Sequence, residues 1–284
     1  MTATDARPAR APEAPPGPPG DATPEAILVR GVSLTYGGET PVHALADVDL
    51  TVQQGQFASL VGPSGCGKST LLRVLAGLAP PEAGPGVEVR VDGQDARERP
   101  GLAAFKPQRD LLLPWRRTLG NAALGAELSG IPRAQAREQA RTLLGRFGLE
   151  GFERAWPAQL SGGMRQRLAL LRTFLAPRRV LLLDEPFGAL DALTRRDMQE
   201  WLQEVWTEDQ RTALLVTHDV EEALMLSDVV FVMSHRPGRI LARIEVDLPR
   251  PRGLETTASA EFGALKAEVL RTLAAGRSPG STQP

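Results

Sequence analysis

The stretch VGPSGCGKST, residues 61–70, combines glycines, hydroxyl side chains and a single lysine. A segment so poor in bulky side chains cannot pack a core. It can curl successive backbone N–H groups around an anion, because glycine adds no Cβ clash. Gly62, four intervening residues, then Gly67, Lys68 and Ser69 is the spacing of a phosphate-cradling loop. The apolar run FASLV precedes it and the helical pattern STLLRVLAGL follows it. A helix N-terminus at that place adds its own partial positive charge. Lys68 is expected to reach β- and γ-phosphates, and Ser69 to hold magnesium.

A second chemical signal is RRVLLLDEP. Val180 to Leu183 form an apolar strand that ends in Asp184 and Glu185. Carboxylates at the C-terminal end of a buried parallel strand sit where α/β sheets bind ligands. Asp184 is placed to serve a magnesium shell, and Glu185 to orient or deprotonate an attacking water. A third signal is QLSGGMRQR, residues 159–167. Ser161 reads as an N-cap, and Gly162 and Gly163 leave its helix N-terminus bare. That makes a second anion cradle. A nucleotide has one γ end, so the second cradle is expected to serve another face of the same nucleotide, from another subunit.

These groups need a scaffold. ILVRGVSLTY and HALADVDLTV read as paired, partly alternating strands, and FASLV, RRVLLLDEP, TALLVTHD and DVVFVM as short buried ones. Helical patterns such as LTRRDMQEWLQEVW separate the later strands. The alternation predicts an α/β fold with a mostly parallel sheet covered on both faces. Between about 109 and 176 the chain is helical without a strand-like run, which predicts a helical subdomain inserted into the core. Residues 1–26 are rich in Pro, Gly and Ala and cannot bury enough surface to offset ordering entropy, so they read as a disordered tail. Residues 241–284 read as an appendage whose end is disordered.

Composition sets limits. Net charge is −1, so no global basic field attracts nucleic acid or anionic lipid. One cysteine, Cys66, excludes an intrachain disulfide framework and a cysteine zinc site. No apolar run reaches the roughly 18 residues of a membrane span. No signal peptide is seen. Of the 33 basic residues three are lysines, which leaves 30 arginines.

Taken in order, the motifs resemble the ATP-binding subunit of an ABC transporter over about residues 27–240. GPSGCGKST is similar to its Walker A motif, LSGGM to its signature and LLLDEP to its Walker B motif. FGALD resembles its D-loop, and His218 in VTHD its switch histidine. Gln108 stands where the family has its Q-loop glutamine, and Tyr36 where an aromatic stacks on adenine. The resemblance implies a P-loop NTPase core, an antiparallel β edge subdomain and the helical insertion. It implies ATP and Mg2+ as ligands, with Gly62, Pro63, Ser64, Gly65, Cys66, Gly67, Lys68, Ser69 and Thr70 around the phosphates. The Cys66 side chain itself has no expected role. Ser69, Gln108 and Asp184 form the implied magnesium environment. Glu185 resembles the catalytic base, and His218 the residue that contacts the γ-phosphate and the attacking water. Two subunits are expected to pair head to tail as a homodimer, with two ATP between the P-loop of one and Ser161, Gly162 and Gly163 of the other. Asp191 is then expected to communicate across the dimer. His43 and His235 have no such support and read as structural or surface residues. Tyr36 could instead be an edge-strand core residue.

The family commonly has apolar residues before its Q-loop glutamine, whereas FKPQ places Lys106 and Pro107 there. Proline removes a ladder donor, so the strand is expected to end early. Permease subunits of the membrane and a periplasmic or extracellular solute-binding protein are the implied partners, with the chain peripheral at the cytoplasmic face of the inner membrane. A free subunit favours an importer. LLPW after the Q-loop, MSHRPGRI and VDLPRPR resemble the nitrate, sulfonate, taurine, bicarbonate or thiamine-precursor subgroup. The solute itself is set elsewhere. Trp115 either anchors a permease helix or packs the helical core. The alternative is a soluble ABC ATPase of a non-transport system such as iron–sulfur cluster assembly. A DNA-repair version needs a long coiled coil, but only 93 residues separate Lys68 from Ser161 (161 − 68), with no heptad run.

Overall fold

The computed structural model describes residues 24–188 and 190–276. The chain opens with two long strands, β1 (Glu25–Tyr36) and β2 (Val42–Gln53), then β3 (Phe57–Val61) and helix α1 (Lys68–Leu75). Short strands β4 (Glu88–Val91), β5 (Gln94–Asp95) and β6 (Ala104–Lys106) follow. Four helices come next: α2 (Thr118–Ala122), α3 (Leu124–Leu128), α4 (Arg133–Leu144) and α5 (Gly162–Phe174). The remaining chain alternates as β7 (Val180–Asp184), α6 (Ala192–Asp209), β8 (Thr212–Thr217), α7 (Val220–Leu226) and β9 (Val229–Met233). It closes with β10 (Ile240–Glu245), α8 (Leu254–Thr257) and α9 (Ala260–Ala275).

Two sheets result. One is antiparallel, in the order β2-β1-β4-β5; the other runs β10-β9-β3-β8-β7-β6. In the second sheet β3 pairs in parallel with both β8 and β9, and β6, β7 and β8 are parallel neighbours. Only β10 runs antiparallel, against β9. Alternation along β7 builds the layers. Val180 and Leu182 face α1 and the antiparallel sheet, whereas Leu181 and Leu183 face a core shared with Phe147, Leu168 and Trp201 of the helical side. Side chains of a strand point to opposite faces with period two, so one apolar run serves both cores. A third cluster joins Val61, Val230 and Val232 to α7 and α9 through Leu224, Phe262 and Val269.

The parallel order has a direct consequence for chemistry. The C-terminal ends of β3, β6, β7 and β8 lie along one edge of the sheet. The segments that follow them carry the P-loop, Gln108, Glu185 and His218.

Two boundaries differ from the sequence expectation. Strand β1 begins at Glu25, inside the span read as tail, while residues 1–23 lie outside the described residues. Residues after 240 are not all appended, because β10 extends the central sheet and α9 packs on α7 and β9. The disorder expected at the far end falls on 277–284, outside the described residues. Strand β6 does stop at Lys106, ahead of Pro107. Among the described residues no helix is long and apolar enough to cross a membrane.

Candidate functional site

The segment after β3 wraps tightly around the start of α1. Gly67 adopts φ +117, and a Cβ there would lie 2.6 Å from Ala44 O, so only glycine fits. Gly238 supports the loop from below: a Cβ there would lie 2.4 Å from Cys66 O. Its backbone N–H donates to Ala44 O, and its carbonyl accepts from Ala46 N, both at 3.0 Å. The loop is thus clamped between β2 and the turn before β10. Lys68 is buried at the first position of α1 and donates to Gly62 O at 2.8 Å and Pro63 O at 2.9 Å. Cys66 is buried beneath the loop, where burial pushes its thiol up despite the Lys68 ammonium.

A cleft of about 380 Å³ opens above this loop. Ser64, Gly65, Gly67, Lys68, Ser69 and Thr70 form its floor, and Gln108, Glu185 and His218 one wall. Tyr36 stands at the rim, half open to solvent, with its hydroxyl donating to Thr70 Oγ1 at 3.4 Å. It is therefore not a core residue of the edge strand. Val42, Ala44 and Arg236 also line the cleft and were not expected. Arg236 lies in HRPGR, a stretch whose sequence signal was only its likeness to a subgroup.

The acidic residues sit as the strand order dictates. Asp184 ends β7 and accepts from Ser69 Oγ at 3.0 Å. Glu185 continues that strand's ladder, donating its N–H to Val216 O at 2.9 Å, yet turns to φ +43. A non-glycine residue in the left-handed region is strained, and such strain collects at functional sites. The turn aims its carboxylate into the cleft. Gln108 Nε2 donates to Glu185 Oε2 at 3.0 Å, and His218 Nδ1 lies 3.3 Å from Glu185 Oε1. Ser69 and Asp184 offer hard oxygen atoms side by side. Among the described residues no cluster of three His, Cys, Asp or Glu could cage a metal alone. That donor set fits magnesium, which takes one or two protein oxygens and completes its shell with phosphate and water.

Other expected residues lie elsewhere. Ser161 caps α5 and accepts from Met164 N at 3.2 Å, leaving the Gly162 and Gly163 N–H groups at an open helix start. None of the three lines the Lys68 cleft. Asp191 is also outside it: its side chain caps α6 by accepting from Thr194 N at 3.0 Å, and that bond holds its carboxyl below the usual range.

The loop after Gln108 is fastened to α5. Gln166 Nε2 donates to Gln108 O at 3.4 Å, while Arg172 donates to Asp110 O and Leu111 O at 2.7 and 2.8 Å. Asn121, fully buried, bonds Leu113 N and the Leu113, Arg116 and Arg117 carbonyls. Lys106, the departure noted before Gln108, is fully buried, and burial pushes its ammonium down to about 8 against the opposing pull of Asp184 and Asp110. The helix that carries Ser161 and the loop that carries Gln108 are therefore one mechanical unit.

Trp115 is neither a core residue nor part of an apolar groove: it is 71% exposed and lines a cleft with Arg116 and Arg117. A separate groove of about 500 Å³ is lined by Leu78, Phe105, Leu111, Leu124 and Leu128. Leu111 is held at φ +44, and Leu128 is 79% exposed.

Glu222, on α7 behind His218, is buried with Oε1 unpartnered, and burial beside Asp219 pushes its carboxyl up to about 8. The folded state then holds a proton that the unfolded chain releases above about 4.5. Stability contributed by that proton is present below the unfolded pKa and is lost as pH rises through about 8. Glu222→Gln is expected to stabilise the protein at pH 8.5 and much less at pH 5. Urea melts at the two pH values check this, and equal gains at both would refute it.

Comparison with known proteins agrees with this geometry. A family model described as ABC transporter matches residues 45–188. The chain is 45% identical over 259 residues to the aliphatic sulfonates import ATP-binding protein SsuB 2 of Pseudomonas aeruginosa, covering 91% of this chain and 88% of that protein. It is 44% identical over 213 residues to the taurine import ATP-binding protein TauB of Pseudomonas putida, covering 74% and 79%. Among solved structures, a dimeric bacterial ABC transporter cassette superposes with a TM-score of 0.68 at 30% identity, over 80% of this chain and all of that one. A post-hydrolysis state of that cassette, bound to ADP and Pi, superposes equally well at 29% identity.

Proposed function

The chain belongs to the ABC transporter family, and we propose that it is the ATP-hydrolysing subunit that energises import of a small organosulfonate-type anion. The observation that carries this reading is the convergence of Lys68, Ser69, Gln108, Glu185 and His218 on one cleft. The similarity to sulfonate and taurine import subunits supports the solute class.

In this reading the loop N–H groups and Lys68 bind the ATP phosphates, and Lys68 exchanges its carbonyl acceptors for γ-phosphate oxygens. Tyr36 stacks on the base. Ser69 and Asp184, with Gln108 as the third group of that environment, would hold magnesium, which would neutralise charge on the ATP phosphates. Glu185 takes a proton from water as the water oxygen bonds to the γ-phosphorus, and the bond to the β–γ bridging oxygen breaks to release ADP. Gln108 and His218 hold the Glu185 carboxylate in line for that transfer. Ser161, Gly162 and Gly163 act on the nucleotide of a second copy, paired head to tail, and Asp191 lies at that junction. The pair works at the cytoplasmic face of the membrane, under permease subunits that an external solute-binding protein supplies.

Deleting the gene and supplying a sulfonate as sole sulfur source tests the whole reading. Growth should fail, return with the wild-type gene and not return with Lys68→Ala. Unchanged growth of the deletion strain, with no rival importer induced, overturns the solute class.

The apolar groove fits a short amphipathic segment of the permease. Leu111, Leu124 and Leu128 from the loop and α3 supply anchors that a lone subunit has little reason to leave open. Leu128→Glu is expected to cost about 2 kcal/mol or more of assembly energy. Co-purification with the permease should be lost while ATP binding by the isolated subunit is unchanged. Normal assembly of that variant would move the contact elsewhere.

A further inference from the structure

The cleft beside Trp115 has no role in the reading above. It measures about 550 Å³, within the range of small-molecule sites. Its walls come from three segments: the loop before α2 with the first turn of α2, helix α4, and the loop that precedes the turn at Pro157–Gln159. Six of its twelve lining residues are arginines: Arg116, Arg117, Arg133, Arg137, Arg141 and Arg154. Glu153 is the one lining carboxylate, and it already accepts from Gly151 N.

We propose that this cleft is a binding site for a small organic polyanion, a molecule with at least two phosphate, sulfonate or carboxylate groups on a flat apolar body. Three observations carry it. First, the charge is concentrated. Arginine makes up 30 of 284 residues, about one in nine, yet half of this lining. Like charges gathered in a concave wall repel one another and focus a field that draws anions. Second, donors are unspent. Arg116 and Arg133 share Glu127, and Arg141 pairs with Glu138. Among the described residues Arg137 and Arg154 have no carboxylate within the 4.0 Å of an ion pair. The Arg137 Nε is buried without an acceptor, a costly state for a charged donor. Third, two indoles border those guanidiniums. Trp115 is 71% and Trp156 40% exposed, and the Arg117 guanidinium lies 4.5 Å from the Trp156 ring centroid.

These features select the ligand. Guanidinium forks match phosphate, sulfonate and carboxylate oxygens bidentately. Several forks converging from separate segments suit more than one anionic group. The exposed Trp115 indole and the part-exposed Trp156 ring add affinity only for a ligand that is itself flat and apolar between those groups. A solvated arginine stripe accounts for Arg133, Arg137 and Arg141, four residues apart on α4. It does not account for Arg116, Arg117 and Arg154 arriving from other segments to face the same space, or for Trp115 left in water beside them. The cleft shares no lining residue with the Lys68 cleft, so it is a separate site and does not rest on the proposed function.

Tryptophan fluorescence reads the site directly. The full chain, saturated with ADP to fill its nucleotide cleft, is titrated with naphthalene disulfonate and, separately, with pyrophosphate. The disulfonate is expected to quench saturably with a Kd below about 1 mM. Pyrophosphate, which has the charge and no ring, is expected to bind at least several-fold more weakly. Arg137→Gln combined with Arg154→Gln should weaken disulfonate binding about tenfold or more, with ADP affinity and thermal melting unchanged. Trp156→Ala should weaken the disulfonate and not pyrophosphate. Absence of saturation up to about 10 mM, or equal affinity in the double arginine variant, overturns the site. Equal affinity for the two probes overturns the flat body assigned to its ligand.

Discussion

Glu185→Gln is expected to reduce ATP turnover by about 10²–10⁴ while leaving ATP binding intact, the usual cost of losing a general base. The side chain keeps its shape, so the hydrogen bond with Gln108 has a counterpart in the amide. What is lost is the ability to accept a proton from water. Glu185 is singled out from Asp184 by geometry. Asp184 is nearly buried and tied to Ser69 Oγ at 3.0 Å, whereas Glu185 turns at φ +43 to present both oxygens to the cleft. Gln108 and His218 approach those two oxygens from different loops. Arrested chemistry should also trap the ATP-bound pair, so a dimer should accumulate with ATP and magnesium. The measurement is phosphate release together with light scattering on the same sample. Turnover like that of the wild type would remove Glu185 from the role and leave His218 as the next base to test.

Why these residues were readable one by one, and others were not, follows from how the site is built. Each of β3, β7 and β8 is a short apolar run that leads directly into the segment carrying a proposed site residue, so strand and site share one signal. Strand β6 gives no such signal. It has three residues, one of them the buried Lys106, and Pro107 ends it. Strands β4 and β5 are short and flanked by glycines, and only pairing with β1 and with each other gives them order. Strand β10 looked like part of a tail because Ile240–Glu245 alternates at the sheet edge, with one face left to solvent. Trp115 was legible as unusual and illegible as to place, since the loop from Gln108 turns at Leu111 and sends the two residues to different clefts. The arginine cleft draws on residues from 115 to 156, and no single window of sequence contains its charge. Support from below was hidden for a similar reason. Gly238 lies far along the chain from Gly67, yet both are glycines because each presses on Ala44 or Cys66 in the same clamp.

Mixing two inactive variants is expected to restore activity, and this follows from where Ser161 lies. Within one chain Ser161 caps α5 and lines no part of the Lys68 cleft, and its helix start is open, as an anion cradle requires. If that cradle closes on the nucleotide of a second copy, each site takes its P-loop from one chain and its Ser161 from the other. Ser161→Arg fills the cradle and should leave ATP binding by a monomer unchanged. Lys68→Ala removes the buried ammonium and should weaken that binding. Either variant alone breaks both sites of its own dimer, and loss of such positioned phosphate contacts typically costs about 10²–10³ in rate. A mixed dimer has one site with an intact Lys68 and an intact Ser161, and one site broken twice. Activity should therefore return to a fraction of wild type that follows the proportion of mixed dimers. The rigid link from Ser161 through Gln166 and Arg172 to the Gln108 loop adds a second expectation. Gln166→Ala should lower turnover of the wild-type pair with little change in ATP affinity, because it loosens the loop without touching the nucleotide. Tagged variants, purified as verified mixed dimers and assayed for phosphate release, decide the matter. Mixed dimers as inactive as either parent would rule out the head-to-tail pairing and return Ser161 to the role of a helix cap alone.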